Sequence, residues 1–401
     1  MKQIILVCSM SLISCTLNAT IVSVPADQPT VQAGINAAST GDTVLIAIGT
    51  YVEHVSIGIP LTLLGEDRNG TVLDGAGLGH VVEVTANRVH VEKLTVQNAG
   101  PLWDYEFYWD SGILFNACDS CLVVDCRLID NPAAGISQWG AQFNKYEQCE
   151  IVGGRAGFYF FEDWNGPYRP NLHNEIRSCS IEGTSEAGIL FEHVVAYHHE
   201  SNVIFGNLIS NCGTGFGAIM AQSNQISYNS FVDNSYGVGI TVCMAGGNSN
   251  ICHHNNFINC GARDSDGGEP DAVDFWNLSD PCEGNYWSEY TGVDADSDGI
   301  GDTPYPIGGD AGTFDYCPLM QPVSLPVDCV GIRGNIDGDP QEEINIADLV
   351  YLVNYMFNGG PAPNLPLEAD IDGNGTGPDI ADLVYLVNYM FNGGPAPAAC
   401  P

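Results

Sequence analysis

Asn335, Asp337 and Asp339, followed by Asp348, place side-chain oxygens on alternate residues and then once more at the start of an apolar run; Asp370, Asp372, Asn374 and Asp382 do the same. Oxygens in that pattern wrap a hard divalent cation, and a last carboxylate at a helix start ties loop to helix where the helix dipole favours negative charge. The runs that follow, residues 346–363 and 380–397, are identical (IADLVYLVNYMFNGGPAP) and 34 positions apart. In the first copy Leu349, Leu352, Val353 and Met356 form an i, i+3, i+4, i+7 stripe that Asn-Gly-Gly-Pro ends, so each copy predicts a helix. Tyr351, Tyr355 and Phe357 add apolar surface outside the stripe, which asks for a partner. Asp294, Asp296, Asp298 and Asp302 in DADSDGIGD repeat the alternating-oxygen, Gly-bend spacing. Ca2+ is therefore expected at two places in the C-terminal repeat and at one near Asp294 to Asp302.

A second group mixes aromatic rings with ionisable side chains. Glu162, Asp163, Trp164, Tyr168 and Arg169 fall in one insertion, Glu192, His193 and Tyr197 to Glu200 in the next, and Trp103, Tyr105 and Trp109 in a third, residues 101–110. Flat rings cover the apolar face of a sugar while charged groups take its hydroxyls, so Trp103, Tyr105, Trp109, Trp164, Tyr168 and Arg169 are candidates for a glycan groove. Glycoside hydrolysis needs two carboxylates flanking a bond, and Glu162 or Asp163 with Glu192 supply them. A lyase needs a cation-assisted base, for which Arg169, the only basic residue in these insertions apart from histidine, is a candidate, with His193, His198 and His199 as alternatives. In the competing reading these loops merely pack on the side of the scaffold, and both readings stand at this stage. His198-His199-Glu200 and His253-His254 invite a metal. Adjacent side chains on a strand point to opposite faces, however, so solvated or stacked imidazoles are expected there.

The insertions sit on a repeat. Gly112, Gly135, Gly157, Gly188, Gly215 and Gly237 each open a strand in a unit of 22 to 31 residues. Cys126, Cys149 and Asn229 follow their glycines by 14 positions, whereas Cys179 follows Gly157 by 22 and Asn207 follows Gly188 by 19. Extra residues in neighbouring units therefore emerge at one corner. Short strands at such a period, with no helix signal, predict a solenoid, best a right-handed parallel β-helix of two strands per unit. Asn207, Asn229 and Asn255, in register, should form an amide ladder, and Cys126, Cys149 and Cys179 a stack of buried thiols. Residues 27–40 carry helical spacing at Val31, Ile35 and Ala38 and would cover the first coil's open edge.

With 11 Lys plus Arg against 49 Asp plus Glu, the chain carries a net charge of -38, which excludes nucleic acid and anionic membranes as partners. Its 45% hydrophobic content is ample for a core. Lys2, the apolar run Ile4 to Ile13 and small residues to Ala19 read as a signal peptide, too short to span a bilayer. The chain is thus expected to be secreted or at the cell surface, by cleavage near Ala19 or by lipid attachment at Cys15, with no transmembrane segment. Cys282 with Cys317 and Cys329 with Cys400 are plausible bridges. The expected organisation is a signal peptide over 1–19, a β-helix over 20–325 and two Ca-loop-helix repeats over 326–401.

The opening VPADQPTVQAGINAASTGDTVLIAIGTYVEHVSI resembles the start of the pectin-lyase-like β-helix superfamily, and Gly284 to Ile307 (GNYWSEYTGVDADSDGIGDTPYPI) is similar to the end of NosD-like β-helix proteins. Together the resemblances cover about residues 21–320. They imply a right-handed parallel β-helix, a fold that hosts lyases, hydrolases, esterases and non-catalytic carriers. NosD-like proteins are also linked to copper-site assembly. The adjacent Asp pair and Gly-His-Gly of polygalacturonases and the paired Asp motif of pectin esterases are absent from the sequence. Residues 331–398 resemble a type I dockerin, with two extra residues in the first loop, within Pro340 to Glu343, and one in the second near Pro378. That resemblance implies binding to a cohesin module through Ile346-Ala347 and Ile380-Ala381, in two orientations because the repeats are identical. The expected protein is mainly β: an exported β-helix followed by a small α-helical dockerin. It would bind polysaccharide, cleave it as a hydrolase or lyase if it is an enzyme, and attach to a cohesin-bearing complex or surface. The rival is a non-catalytic surface or assembly protein in which the solenoid is a rigid spacer.

Overall fold

Single residues in the left-handed conformation break each extended stretch, so the repeating unit has three strands rather than the two its spacing suggested. The computed structural model describes residues 19–102, 109–161, 169–192, 199–219, 221–241, 249–265, 274–324, 333–337, 344–358, 360, 363, 368–373 and 378–397. In the stretch KYEQCEIV, Lys145–Glu147 and Glu150–Val152 belong to different sheets, separated by Gln148 at φ 53°. Asp125, Ser178, Tyr228 and His254 occupy the same corner at φ 50°, 54°, 57° and 54°. That conformation costs a residue with a Cβ about 1–2 kcal/mol, so the stacked neighbours must hold it.

Among the described residues the coils form three parallel sheets of ten strands each. The first runs from Ile21–Val24 to Ile251–His253, the second from Gly49–Val52 to Tyr286–Trp287, and the third from Val55–Ile57 to Gly308–Gly309. Each strand pairs with its counterpart one coil on, as in Lys145↔Glu175, Glu150↔Ser180 and Ala156↔Ala187. This is the stacking typical of a right-handed parallel β-helix. Its interior is one column of apolar side chains, among them Phe158, Phe160, Phe191, Phe216, Phe231 and Phe257. Helix α1 (Val31–Ala37), capped by Thr30 Oγ1 accepting from Ala33 N at 3.1 Å, buries Val31, Gly34 and Ile35 in the same core at the first coil.

The anchor glycines are required by the stacking distance. A Cβ on Gly188 would lie 2.8 Å from the Gly215 carbonyl oxygen of the next coil and 2.6 Å from Ile209 Cγ2. Gly188→Ala is expected to cost about 2–3 kcal/mol through this overpacking, measured by chemical unfolding; a loss below about 0.5 kcal/mol, the size of an indifferent surface change, would contradict it.

Asn207, Asn229 and Asn255 form the expected ladder. Asn207 N and Nδ2 both donate to Asn229 Oδ1 at 2.9 Å, and Asn229 repeats this onto Asn255 at 2.9 Å. Each Nδ2 also donates backward to a carbonyl, from Asn229 to Ile204 at 2.9 Å and from Asn255 to Ile226 at 2.8 Å. Cys126 and Cys179 do the donating half of this job, with Sγ 3.6 Å from the Val91 and Tyr146 carbonyls, and both are free and buried. A second ladder, which the sequence reading missed, runs through Asn144, Asn174, Asn202, Asn224 and Asn250. It lies at a constant offset of five residues before Cys149, Cys179, Asn207, Asn229 and Asn255, so the repeat alignment contained it.

Both ladders end on a buried carboxyl that only accepts: Asn250 donates to Asp274 Oδ1, and Asn285, the last rung of the first ladder, donates to Asp315 Oδ2. Burial pushes Asp274 up to about 7 and Asp315 up to about 6. Values raised above the unfolded carboxyl mean that the folded state keeps protons the unfolded chain has released. Stability is therefore lost as pH rises from about 4 to about 7. Asp274→Asn, which continues the amide ladder without a charge, should flatten that loss by up to about 4 kcal/mol. Melting curves near pH 5 and near pH 8 read the difference, and identical slopes in parent and variant would refute it.

The C-terminal helices are α2 (Ile346–Asn358) and α3 (Ile380–Asn392). They enclose a separate small core of Ile336, Leu352, Ala369, Ile371 and Leu386. Tyr351 packs against this core instead of adding free apolar surface; Ile346, Val350 and Phe357, and their copies Ile380, Val384 and Phe391, are the exposed ones. The helix rotation decides this, because positions 346, 350 and 357 share the face opposite Leu352. Cys282 and Cys317 are disulfide-bonded, as expected. The proposed signal peptide with Cys15, and Cys329 and Cys400, lie outside the described residues.

Candidate functional site

The third sheet has the long strands. Ser111–Asn116, Ala134–Trp139, Ala156–Phe161 and Ala187–Glu192 are six residues each, whereas the other two strands of the coil containing Gln148 have three. The added length lets the outer face carry a second apolar cluster, with Trp109, Leu114, Trp139, Tyr159, Phe161 and Leu190, apart from the inner column. Trp109 stacks on Tyr159 with centroids 3.8 Å apart, and the Arg155 guanidinium lies 5.1 Å over the Trp109 ring. Arg155 forms an ion pair with Glu186 on the next coil. Tyr159 Oη donates to Glu192 Oε2 at 2.8 Å. Burial pushes the Glu192 carboxyl up, the Tyr159 hydrogen bond opposes the shift, and the charge of Glu186 adds to it. A carboxyl half-withdrawn from water and oriented by a phenol is held in a fixed direction for proton transfer to a bound group.

Of the proposed catalytic residues, Glu192 alone is described; Glu162, Asp163 and His193 lie outside the described residues, as do Trp103, Tyr105, Trp164 and Tyr168. Phe161 and Glu192, the last described residues before 162–168 and 193–198, are register partners on adjacent strands at one edge of the sheet. Trp109 does not line an open groove: it is 1% exposed and belongs to the floor beneath Arg155. Arg169 turns toward the corner leading into the first sheet, where it donates to the Ala117 carbonyl at 2.9 Å and pairs with Asp119. Arg155, Tyr159 and Glu186 were missed. Arg155 and Glu186 stand two residues before Gly157 and Gly188, so the repeat placed them side by side, and Tyr159 points outward by alternation from Phe158 and Phe160.

Two acidic groups converge as the loops suggested. Carboxylate oxygens of Asp370, Asp372 and Asp382 lie within 4.8 Å of one another, with Asp370 and Asp382 buried, and those of Asp294, Asp296 and Asp298 do the same at the surface. Asp382 Oδ1 accepts from Asp372 N at 3.1 Å and Oδ2 from Asp379 N at 2.8 Å. Asp348 likewise accepts from Ile336, Asp337 and Asn345 N at 2.7, 3.1 and 2.8 Å. Burial pushes Asp348 and Asp382 up, and Asp337 and Asp372 respectively add repulsion. Buried like charges this close suit a divalent cation. Asp339 and Asn374 lie outside the described residues. In the surface loop Asp294 closes the bend by accepting from Asp298 N and Gly299 N at 3.2 and 3.0 Å.

His253 and His254 do not point to opposite faces. His254 sits at the left-handed corner, which turns its side chain back, and the two Nδ1 atoms are 2.7 Å apart. His254 Nε2 is 3.2 Å from Glu283 Oε2, and Tyr228 stacks on the His254 ring at 4.8 Å.

With three parallel sheets and these sites in place, residues 35–292 match the family described as periplasmic copper-binding protein NosD. The chain belongs to the NosD family. No curated protein matches it. Solved structures similar to this NosD-family chain include an alginate lyase from Paenibacillus sp., 15% identical over 67% of this chain and 98% of that one, with a TM-score of 0.47. Another is a pectin methylesterase from Aspergillus niger, 15% identical over 65% of this chain and 90% of that one, with a TM-score of 0.43. No helix among the described residues is long and apolar enough to cross a membrane.

Proposed function

We propose that this NosD-family β-helix is an exported polysaccharide-binding protein that docks through a Ca2+-dependent C-terminal dockerin to a cohesin-bearing partner. The observation that carries the glycan reading is the outer face of the third sheet. There alone among the described residues does the β-helix support a second aromatic cluster, edged by the Glu192–Tyr159 and Arg155–Glu186 pairs. Trp103, Tyr105, Trp164 and Tyr168, close in the chain to strands of this sheet, would supply the sugar-stacking rings of the reading. Glu192 is the proton donor if a bond is cleaved, with Glu162 or Asp163 as the second carboxylate of a hydrolase and His193 serving a lyase.

The docking reading rests on identical helices that expose the same residues. Ile346 and Ile380 are 58% and 56% exposed, and Val350 and Val384 are both 61% exposed. With Ala347 and Ala381 they offer one contact surface twice. Ca2+ would be held by Asn335, Asp337, Asp339 and Asp348 and by Asp370, Asp372, Asn374 and Asp382, where it would neutralise the buried carboxylates and order each loop against its helix. Asp294, Asp296 and Asp298 would hold a third ion.

The test is a glycan array and a polysaccharide-degradation screen on the full chain. Binding, with or without new reducing ends or unsaturated products, supports the groove, and silence across the panel overturns it in favour of a spacer. Where products form, Glu192→Gln should lower turnover at least about 100-fold, the scale of a lost general acid, and leave binding intact.

A further inference from the structure

We propose that a cleft on the outer face of the second sheet binds a short neutral saccharide, at a site separate from the third sheet. Its floor is two register pairs on adjacent strands, Glu150 with Ser180 and Val152 with Glu182. Ile151 and Ile181 between them are buried in the core, so alternation turns these four side chains outward. The corner residues Gln148 and Ser178, both left-handed, close one side. Arg68 closes another, from a turn beside strand Thr71–Asp74 of the same sheet. That turn is pinned: Asp67 Oδ1 accepts from Asn69 N and Gly70 N at 3.1 and 2.6 Å, and Thr95 Oγ1 donates to the Arg68 carbonyl at 2.7 Å. Asp125 at 3.0 Å and Glu150 at 3.2 Å hold the guanidinium across the stacked coils. The cleft encloses about 340 Å³, at the small end of ligand sites, which limits its occupant to a short segment.

The groups left over for a ligand decide its class. Ser178 Oγ is buried with no hydrogen-bond partner among the described residues, which costs free energy until a ligand supplies one. The Gln148 amide and the Ser180 hydroxyl also face the cleft uncommitted. The charges, by contrast, are matched. Arg68 pairs with Asp125 and Glu150, and Arg127 reaches Glu150 from the other side at 3.1 Å. Glu182 is left with only the Asn211 amide, at 3.4 Å. Three carboxylates against two guanidinium groups oppose an anion such as a phosphate or a uronate, and one free carboxylate is too little to select an ammonium. Hydroxyls and an amide both donate and accept, as the hydroxyls of a neutral sugar do. Val152, 37% exposed, offers the apolar contact that the C–H face of a sugar ring covers. The walls are fixed by ion pairs and stacked backbone, so little rearrangement is needed to bind.

The experiment titrates the full chain calorimetrically with cellotriose, xylotriose and mannotriose as neutral probes and with a trimer of galacturonate as the anionic one. At least one neutral trimer is expected to bind. Ser180→Lys, at an exposed outward position opposite Glu150, should lay its stem across the cleft and weaken one equivalent of that binding at least about 10-fold. Ser178→Ala should weaken the same equivalent about five-fold, the worth of one neutral hydrogen bond, while the denaturant midpoint holds or rises because an unpaired hydroxyl has gone. A lower midpoint with unchanged binding would make that hydroxyl structural and overturn its role. No binding of any neutral trimer overturns the site. Neutral binding that both variants leave intact overturns it as well, and belongs to the third sheet, where the proposed function stands. Binding that Ser180→Lys removes entirely supports the cleft and counts against the third-sheet groove. Galacturonate trimer bound as tightly as the neutral ones, and lost in Ser180→Lys, overturns the assignment to a neutral ligand.

Discussion

Replacing Asp348 and Asp382 together by Ala should reduce Ca2+ affinity of the C-terminal module by more than about 100-fold and abolish capture by a cohesin, because each site loses its final anionic ligand. The same atoms explain why the loss should be structural as well. Asp348 takes three backbone N–H groups from the preceding loop and the helix start, and Asp382 likewise takes those of Ile371, Asp372 and Asp379. Removing the carboxyl orphans these donors at about 1 kcal/mol or more each. Asp348→Asn with Asp382→Asn separates the two effects in part: the amide oxygen keeps accepting the N–H groups on one side of each carboxyl and its NH2 loses those on the other, but the charge that holds the cation is gone. The Asn pair should therefore lose Ca2+ nearly as completely as the Ala pair while keeping more of the apo fold. Calorimetric titration and pull-down on an immobilised cohesin read both. Capture that persists in either double variant, or in excess chelator with the wild-type chain, would remove the dockerin reading.

Asn229→Leu should cost about 4 kcal/mol and is expected to be the most damaging single substitution in the solenoid. The side chain is fully buried and makes five hydrogen bonds. Its loss strands the Asn207 amide nitrogen, the Ile204 carbonyl and one half of each neighbouring rung, with desolvation of about 1–3 kcal/mol for each unsatisfied group. Asn229→Cys should be milder, because Cys already occupies this rung at 126, 149 and 179 and donates Sγ–H to the preceding coil. The order wild type, Cys, Leu in denaturant midpoint is the expected result. A Leu variant within about 1 kcal/mol of wild type would mean the amide stack contributes specificity of register and little stability.

The coil period, the glycine stack, the first Asn ladder, the terminal cap and the paired C-terminal helices were all legible in the chain, because each follows from a residue type recurring at a fixed spacing. The second ladder was equally legible at its offset of five. The Arg155–Glu186 pair stood in the same alignment, unread for want of a partner signal. What the sequence could not supply is the sign of φ at single positions. Gln148, Ser178, Tyr228 and His254 have nothing chemical in common, yet all are left-handed because the coils above and below impose one backbone path at that corner. That path divides each unit into three strands and brings His253 and His254 to one side. The depth of Trp109 was decided in the same way: six-residue strands on one sheet allow a second cluster to close over a ring that local sequence would leave in solvent. Spacing along the chain sets which residues stack, whereas the direction each side chain takes depends on contacts with residues a full coil away.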